Sequence, residues 1–528
     1  MLARALIVFA LLLPSAGWAQ AALVLPPVAA TSTDAPLVLA SSSFDALAVE
    51  GILDAGDVVT VAASSGTISL ASLGGIAISS GTGSDDVAVS FSGALSDVNA
   101  ALDGLSFAPT PGFAGAASLT LSISGTQALV ADLPISVNAV LDAEAARDAL
   151  LLGVTTIHSG VQPGHCVAFG AQAASIATYD GDPARSPLLV AARWGAGRVA
   201  AMPDHQMINM GSYGADSGTL YTNALAWLGD TTALDLAVLT QDQSTADWLT
   251  AQGYTDVTVT DDADLALDLP GVDVFVPAWL GSSEDPANLE AIAAFVQAGG
   301  GLFLAEYGVG YDWWWAGSVA DAPGNQLLRP AGLGFAGGNE WDTGLIDGSG
   351  RATGRVDGDA LLAMLGSPSS FSSTDLDQGA YLLSRIYDAL PADDPLAQEL
   401  DAAFLAGVSA ISPTPATPVS DPFEQAMLLR ELDLLEALPL AEVTEHRTTA
   451  GVFGSVPATA PRVTATAPID GTTSRWYATG LFVPAGEVVT VSAPPGAVGQ
   501  GFVLRVGGHV DNIGGHGNHR SARERTWW

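Results

Sequence analysis

The sequence predicts a multidomain protein: an antiparallel β-sandwich first, then a central α/β domain on a parallel sheet, then an incomplete β module at the C-terminal end. Three observations predict it. Between residues 22 and 140 apolar and polar residues alternate in short runs, between 142 and 413 short apolar strands alternate with helices, and beyond 462 strand-like runs stop abruptly at a stretch of different composition. A chain of 528 residues has room for three to four such domains, on the usual prior of ~150 residues each.

Composition narrows the function classes. Against 56 acidic residues stand 17 basic ones, all arginine, for a net charge of −39, although only 14% of residues are charged. With no basic stripe to neutralise phosphates, nucleic acid is excluded as a partner. The acidity reads as solubility in a salty or calcium-containing medium, with a dedicated cation site as the alternative. Residues 1–19 combine Arg4, the apolar run Ala5 to Leu13, Pro14 and the small residues Gly17 and Ala19, the pattern of a secretory signal cleaved near Gln20. No later stretch reaches the ~18 to 20 apolar residues that spanning a bilayer requires, so the expected product is secreted or held at the cell surface. The single Cys166 leaves no intramolecular disulfide and no cysteine-based zinc site.

Residues 20–141 are read as the sandwich. Val58 to Val61, Thr67 to Leu70, Val87 to Phe91 and Leu119 to Ile123 carry apolar residues at every second position, with Gly and Asp turns between them. Asp85 and Asp86 fall in a Gly/Ser loop, as a solvated turn or as two ligands of a hard cation. Residues 142–413 are read as the α/β domain, with strands at Val167 to Phe169, Leu188 to Ala192, Arg198 to Met202, Leu236 to Leu239, Val272 to Val276 and Leu302 to Ala305. Between the last two strands, Asp285 and Pro286 start a helix whose apolar face is Leu289, Ile292, Phe295 and Val296, and Gly299 to Gly301 stop it. Such βαβ units build a parallel sheet with helices on both sides, which binds ligands at the carboxyl ends of its strands. A helical linker, 414–461, leads to the strand-like segments of 462–512.

Several of these segments carry a family resemblance. Phe91 to Pro109 and Gly112-Phe-Ala-Gly115 resemble the cadherin-like or immunoglobulin-like modules of bacterial adhesins, which act as spacers and adhesive units. Arg193-Trp-Gly-Ala-Gly-Arg-Val199, Pro203-Asp-His-Gln206, Asn223 to Leu228 and Phe295 to Leu304 resemble the glutamine-amidotransferase-like accessory domain of the enhancin-like zinc metallopeptidases, a domain also found in the TRP channel-associated factors. Val452-Phe-Gly-Ser-Val-Pro457 and Trp476-Tyr-Ala-Thr-Gly-Leu-Phe-Val-Pro-Ala-Gly-Glu487 look like the entry to the peptidase module of that family, peptidase family M-sixty.

The resemblance implies cleavage of glycoproteins, mucins among them, by a zinc on an H-E-x-x-H helix. Two histidines at i and i+4 grip the metal from one helix face, and the glutamate between them activates water. None of the seven histidines (158, 165, 205, 446, 509, 516, 519) forms that motif. Zinc is therefore expected only in a full-length relative, and no cofactor, metal ligand or catalytic residue is assigned here. Residual amidotransferase-like hydrolysis would need a cysteine at the turn after a strand, but the turn after Leu302 to Ala305 carries Glu306, and Cys166 reads as a small buried residue.

The candidate ligand-binding residues are His205, Glu306, Asp312, Trp313, Trp314 and Trp315. Each follows a strand at the carboxyl edge, where consecutive indoles could stack on sugars or pack a loop onto the sheet. Three readings result. The first is the accessory, binding portion of a mucin- or glycoprotein-targeting metallopeptidase, with glycans, glycoproteins or a cell surface as partner. The second is a secreted adhesion or spacer protein with a non-catalytic α/β binding domain. The third is a hydrolase using Glu306 and His205. The last residues, 513–528, hold Arg520, Arg523 and Arg525 and no strand or helix pattern; they read as a shifted reading frame, or as a basic tail, interrupting the module before its catalytic helix.

Overall fold

The computed structural model describes residues 21–497, apart from short internal stretches of which the longest are 209–215, 348–355, 448–456 and 469–478. Residues 1–19, read from the sequence as a secretory signal, and 513–528 lie outside the described residues. The chain divides into two compact units, one ending at Val137 and the other beginning at Asn138.

The first unit is β-rich. Its strands are β1 (Ala22–Val24), β2 (Ala29–Ser32), β3 (Leu37–Leu39), β4 (Ala48–Glu50), β5 (Val58–Ala63), β6 (Gly66–Ser69), β7 (Ile76–Ser80), β8 (Ala88–Gly93), β9 (Leu105–Pro109), β10 (Gly115–Ser124) and β11 (Ala128–Asn138), with helix α1 (Leu95–Leu102) before β9. They form a six-stranded sheet of order β2-β11-β10-β5-β8-β7, a three-stranded sheet β3-β9-β6 and the pair β1-β4. The registered pairs are antiparallel.

The alternation read from the sequence is realised in β10, where Ala117, Leu119, Leu121 and Ile123 are buried and the residues between them are not. These side chains share one core with Val59, Val61, Phe91 and Phe107 and with Val98, Ala101 and Leu102 of α1. The Asp86 carboxylate accepts hydrogen bonds from the amides of Thr82 (2.8 Å) and Gly83 (2.6 Å), and Asp85 adopts φ 53°. The acidic pair thus closes a turn.

The second unit holds β12 (Thr156–His158), β13 (His165–Ala168), β14 (Ala173–Thr178), β15 (Pro187–Trp194), β16 (Gly197–Met202), β17 (Val238–Thr240), β18 (Val257–Val259), β19 (Val274–Val276), β20 (Gly301–Ala305), β21 (Leu333–Ala336) and β22 (Leu345–Asp347). Its helices are α2 (Ala143–Leu150), α3 (Ser217–Leu228), α4 (Gln243–Ala251), α5 (Leu265–Asp268), α6 (Pro286–Gln297), α7 (Val309–Trp313), α8 (Pro323–Leu328), α9 (Gly358–Gly366), α10 (Ser373–Ala389), α11 (Pro395–Val408) and α12 (Pro422–Ala437).

The central sheet has the order β14-β15-β16-β20-β19-β17-β18. From β16 to β18 the pairs are parallel, but β15 runs antiparallel to both of its neighbours, β14 and β16. The sheet is therefore mixed, not the parallel sheet expected from the sequence. The cause is local. Only Gly195 and Ala196 separate β15 from β16, with Trp194 paired to Gly197, and such a turn cannot hold the crossover that parallel strands require. Gly195 sits at φ 58°, and a Cβ there would meet the backbone of Gln297.

Helices cover both faces, as βαβ chemistry demands. Leu150 of α2, Leu220, Tyr221 and Leu225 of α3 and Leu249 of α4 pack on one face, with Val238, Val274 and Phe303. Leu265 of α5, Leu289, Ile292 and Val296 of α6 and Leu327 and Leu328 of α8 pack on the other, with Leu239, Phe275, Leu302 and Leu304. The start of α6 matches its sequence signature: Pro286 is in the first turn and the Asp285 carboxylate accepts the Ala287 amide at 2.9 Å.

Helices α9 to α12 form a bundle with its own core of Leu361, Met364, Leu383, Ile386, Leu400, Phe404 and Phe423. Arg430 of α12 lies 3.4 Å from the ring centre of Tyr387 and binds Asp401 at 2.7 and 2.9 Å, joining three of the helices. The segment expected to be a helical linker is thus partly a packed helix.

Among the described residues after Ala437 no strand occurs, and 469–478 and 498–512 of the expected β module lie outside them. Val463, Val488 and Val491 are exposed there, and short apolar runs without a partner sheet do not pair. Arg475 to Tyr477 and 505–512 lie outside the described residues.

Candidate functional site

The carboxyl ends of β16 and β20 lie side by side, with Met202 level with Ala305, so Pro203 and Glu306 leave the sheet together. Past β16 the chain turns sharply through a 3-10 turn, His205 to Met207, capped by the Asp204 carboxylate on the Gln206 amide at 2.8 Å. Asp204 is fully buried, whereas 34% of the His205 side chain is accessible, with its Nδ1 3.4 Å from Asp204 Oδ1. Burial pushes the Asp204 carboxyl up to about 7, against the opposing pull of the Gln206 amide. The same burial pushes the His205 imidazole down, so burial works against an ion pair between the two groups.

Two aromatic residues complete this corner. Trp279, just past β19, stacks on His205 with ring centres 5.9 Å apart and planes at 27°, and 37% of it is exposed. Tyr307 lies near Asp204, and burial and then the Asp204 charge raise its phenol pKa. The corner therefore presents a partly open indole backed by an imidazole, above a buried acid. Flat aromatic faces with a few polar groups suit a ring with one apolar side and several hydroxyls.

Glu306 belongs to a different layer. Along β20, Leu302 and Leu304 face the α6 and α8 side, and Glu306 continues that alternation. Its side chain is fully buried: the Tyr311 hydroxyl donates to Oε1 at 3.5 Å, and Gly324 presses on Oε2 so closely that a Cβ there would collide. Burial raises the carboxyl to about 8, with the Gly324 amide and Tyr311 acting against it. Among the described residues no hydrogen bond joins Glu306 to His205, so the two occupy neighbouring strand ends without meeting.

Asp312 and Trp313 are the last two residues of α7. Trp314 and Trp315 lie outside the described residues. Trp279, Tyr307 and Gly324 are not among the residues expected from the sequence. The strand-end rule that selected Glu306 would also have selected Trp279, which follows Val276 by three positions, and the adjacent Tyr307.

Among the described residues no group of three or more His, Cys, Asp or Glu is placed to hold a metal ion. Cys166 is buried in β13, and burial pushes its thiol pKa well up, which disfavours the nucleophilic thiolate. A surface cavity of about 230 Å³, lined by Val238, Thr258, Val259, Thr260, Asp268 and Val272 among others, contains none of the candidate residues. It sits against the far edge of the sheet, at β17 and β18.

Comparison with known proteins adds what this geometry alone does not decide. Residues 120–344, from β10 to just before β22, match the TCAF_N family model, described as the TRPM8 N-terminal domain. Residues 458–526 match the N-terminal domain of M60-like peptidases. That match extends into residues 513–526 of the tail. TRPM8 channel-associated factor 1 of Bos taurus is 28% identical over 214 residues, which are 38% of this chain and 20% of that protein. The chain thus spans about a fifth of that relative.

Two solved structures show distant likeness. IMPa from Pseudomonas aeruginosa, solved in complex with an O-glycopeptide, aligns over 56% of this chain and 35% of its own at 16% identity and a TM-score of 0.32. An extracellular fragment of EsaA from Streptococcus gallolyticus aligns over 23% of this chain and 24% of its own at 18% identity and a TM-score of 0.10. At these TM-scores neither likeness carries an inference. No described helix is long and apolar enough to cross a membrane.

Proposed function

We propose that this chain is the binding portion of a secreted, glycoprotein-directed peptidase of the M60-like, enhancin-like type, and that these 528 residues hold no hydrolytic centre. The observation that carries the reading is the match of residues 458–526 to the N-terminal domain of M60-like peptidases, in a sequence with no H-E-x-x-H. Residues 20–141 serve as a cadherin-like or immunoglobulin-like spacer, and the amidotransferase-like α/β domain carries the ligand. On this reading the Trp279 indole, backed by His205, is the platform for a sugar ring at the carboxyl edge.

The test is binding of an O-glycosylated mucin-type peptide to the full chain, compared with the same peptide without its sugar. Glycan-dependent binding lost on Trp279→Ala supports the proposal; equal binding of both peptides contradicts it. A second reading, a secreted adhesion or spacer protein whose α/β domain binds in its own right, draws on the match of residues 120–344 to a domain whose description names no peptidase. It predicts binding to a protein surface that persists after the partner is deglycosylated.

A further inference from the structure

The far edge of the central sheet has chemistry that the proposed function does not use. Strand β18 ends the sheet order and, among the described residues, pairs on one side only, with β17. The Asp256 carbonyl accepts from the Val238 amide and the Thr260 amide donates to the Thr240 carbonyl, both at 2.9 Å. In a parallel ladder alternate residues face the same neighbour, so 256, 258 and 260 are turned towards β17. The amide and carbonyl groups of Val257 and Val259 are therefore directed to the open side. Thr258 and Val259 are exposed, and the 230 Å³ cavity beside them is lined by Val259, Asp268 and Val272, with Leu267 76% exposed nearby.

The charge around this edge has one sign. Asp256, Asp261 and Asp268 are exposed there, and the sequence has no arginine or lysine between Arg198 and Arg329. A second copy of the chain would bring the same acidic edge and a net charge of −39 against it, which disfavours edge-to-edge pairing between copies. Natural edges escape adventitious pairing by being very short, by carrying charge or proline, or by being covered; β18 is a three-residue Val-Thr-Val strand with no lysine or proline, and its flanking charges are all acidic, which leaves it open to a cationic strand.

We propose that β18 is a docking edge for an extended, cationic peptide segment of a partner protein, which adds a strand beside Val257 to Val259 and sets lysine or arginine side chains against Asp256, Asp261 and Asp268. Main-chain bonds give such complexes their register and alternate side chains give them selectivity. The inference is independent of the glycan platform, since it uses the edge strand β18 and not the ends of β16 and β19 that carry His205 and Trp279.

The experiment uses the full chain and a fluorescent peptide of about ten residues alternating valine with lysine, a length that covers a short edge with flanks. Anisotropy at low salt is expected to show binding that weakens as salt screens the aspartates. Val259→Pro removes one outward amide while leaving the β17 ladder intact, and is expected to weaken binding at least about tenfold. Val259→Thr keeps the amide and is expected to bind as the wild type does. A peptide N-methylated at alternate residues, offered to the unaltered protein, is expected not to bind. Absence of binding by the wild type, equal binding by Val259→Pro, or equal binding of the N-methylated peptide would each overturn the proposal; the last two would reduce it to diffuse charge attraction.

Discussion

Replacing Glu306 by Gln isolates the cost of a buried carboxyl. In the fold this group is enclosed by Tyr311 and Gly324, and burial raises its pKa from 4.5 to about 8. The native state therefore keeps a proton that the unfolded chain has released, and stability falls as pH rises from 4.5 towards 8. Each unit contributes about 1.4 kcal/mol, so about three units above the unfolded value the loss is on the order of 4 kcal/mol. Glu306→Gln keeps the shape and does not titrate. Urea unfolding of both proteins across this range, followed by tryptophan fluorescence, should give similar stabilities near pH 4.5 and a gap in favour of the variant that widens with pH and levels off at about 5 kcal/mol above about pH 8. Asp204 also titrates with a raised pKa, about 7, but it is present in both proteins, so the difference reports Glu306. A gap independent of pH would refute the reasoning.

Three further outcomes follow from the same packing logic. Gly324→Ala places a Cβ against the Glu306 carboxyl and 3.1 Å from the Phe335 ring; thermal unfolding should show a loss of about 1–3 kcal/mol, smaller in a Glu306→Ala background where the collision is removed. Arg430→Ala leaves Asp401 and the Tyr387 ring without their shared guanidinium and should destabilise the helical bundle by about 2 kcal/mol, with Arg430→Lys recovering part of the loss by chemical denaturation. The Asp57 carboxyl is held down to about 2, chiefly by the Thr126 hydroxyl; its contribution is present above the ordinary 3.8 and lost as pH falls towards 2. Asp57→Asn should flatten the acid limb of unfolding followed by far-ultraviolet circular dichroism.

Local chemistry was readable from the sequence, and long-range arrangement was not. Asp285 and Pro286 start a helix through their own side chain and ring, and the buried positions of β10 follow from a two-residue period. Strand direction in β15 was hidden because nearly all of its residues are buried, so it reads like a central parallel strand. The five-residue gap between the expected strands at Leu188 to Ala192 and Arg198 to Met202 held the missing information, since no crossover fits there. Strand β14 was not anticipated, and neither was the bundle shared by α9 to α12, whose core joins residues far apart in sequence.

At the candidate site, strand ends were legible as places but the layer each side chain enters was not. His205 and Glu306 were both expected at one edge, and both are there. Glu306 faces the α8 side and is sealed by Gly324, whereas His205 meets Trp279 from a strand two places away in the sheet. Nothing in the spacing of His205 and Trp279 signals that their rings stack.

The most direct test of the central claim is to offer the purified full chain an O-glycosylated mucin-type peptide and to measure binding and cleavage together, with and without a zinc chelator. The account predicts glycan-dependent binding that Trp279→Ala removes, and no cleavage under either condition. Cleavage abolished by the chelator would contradict it.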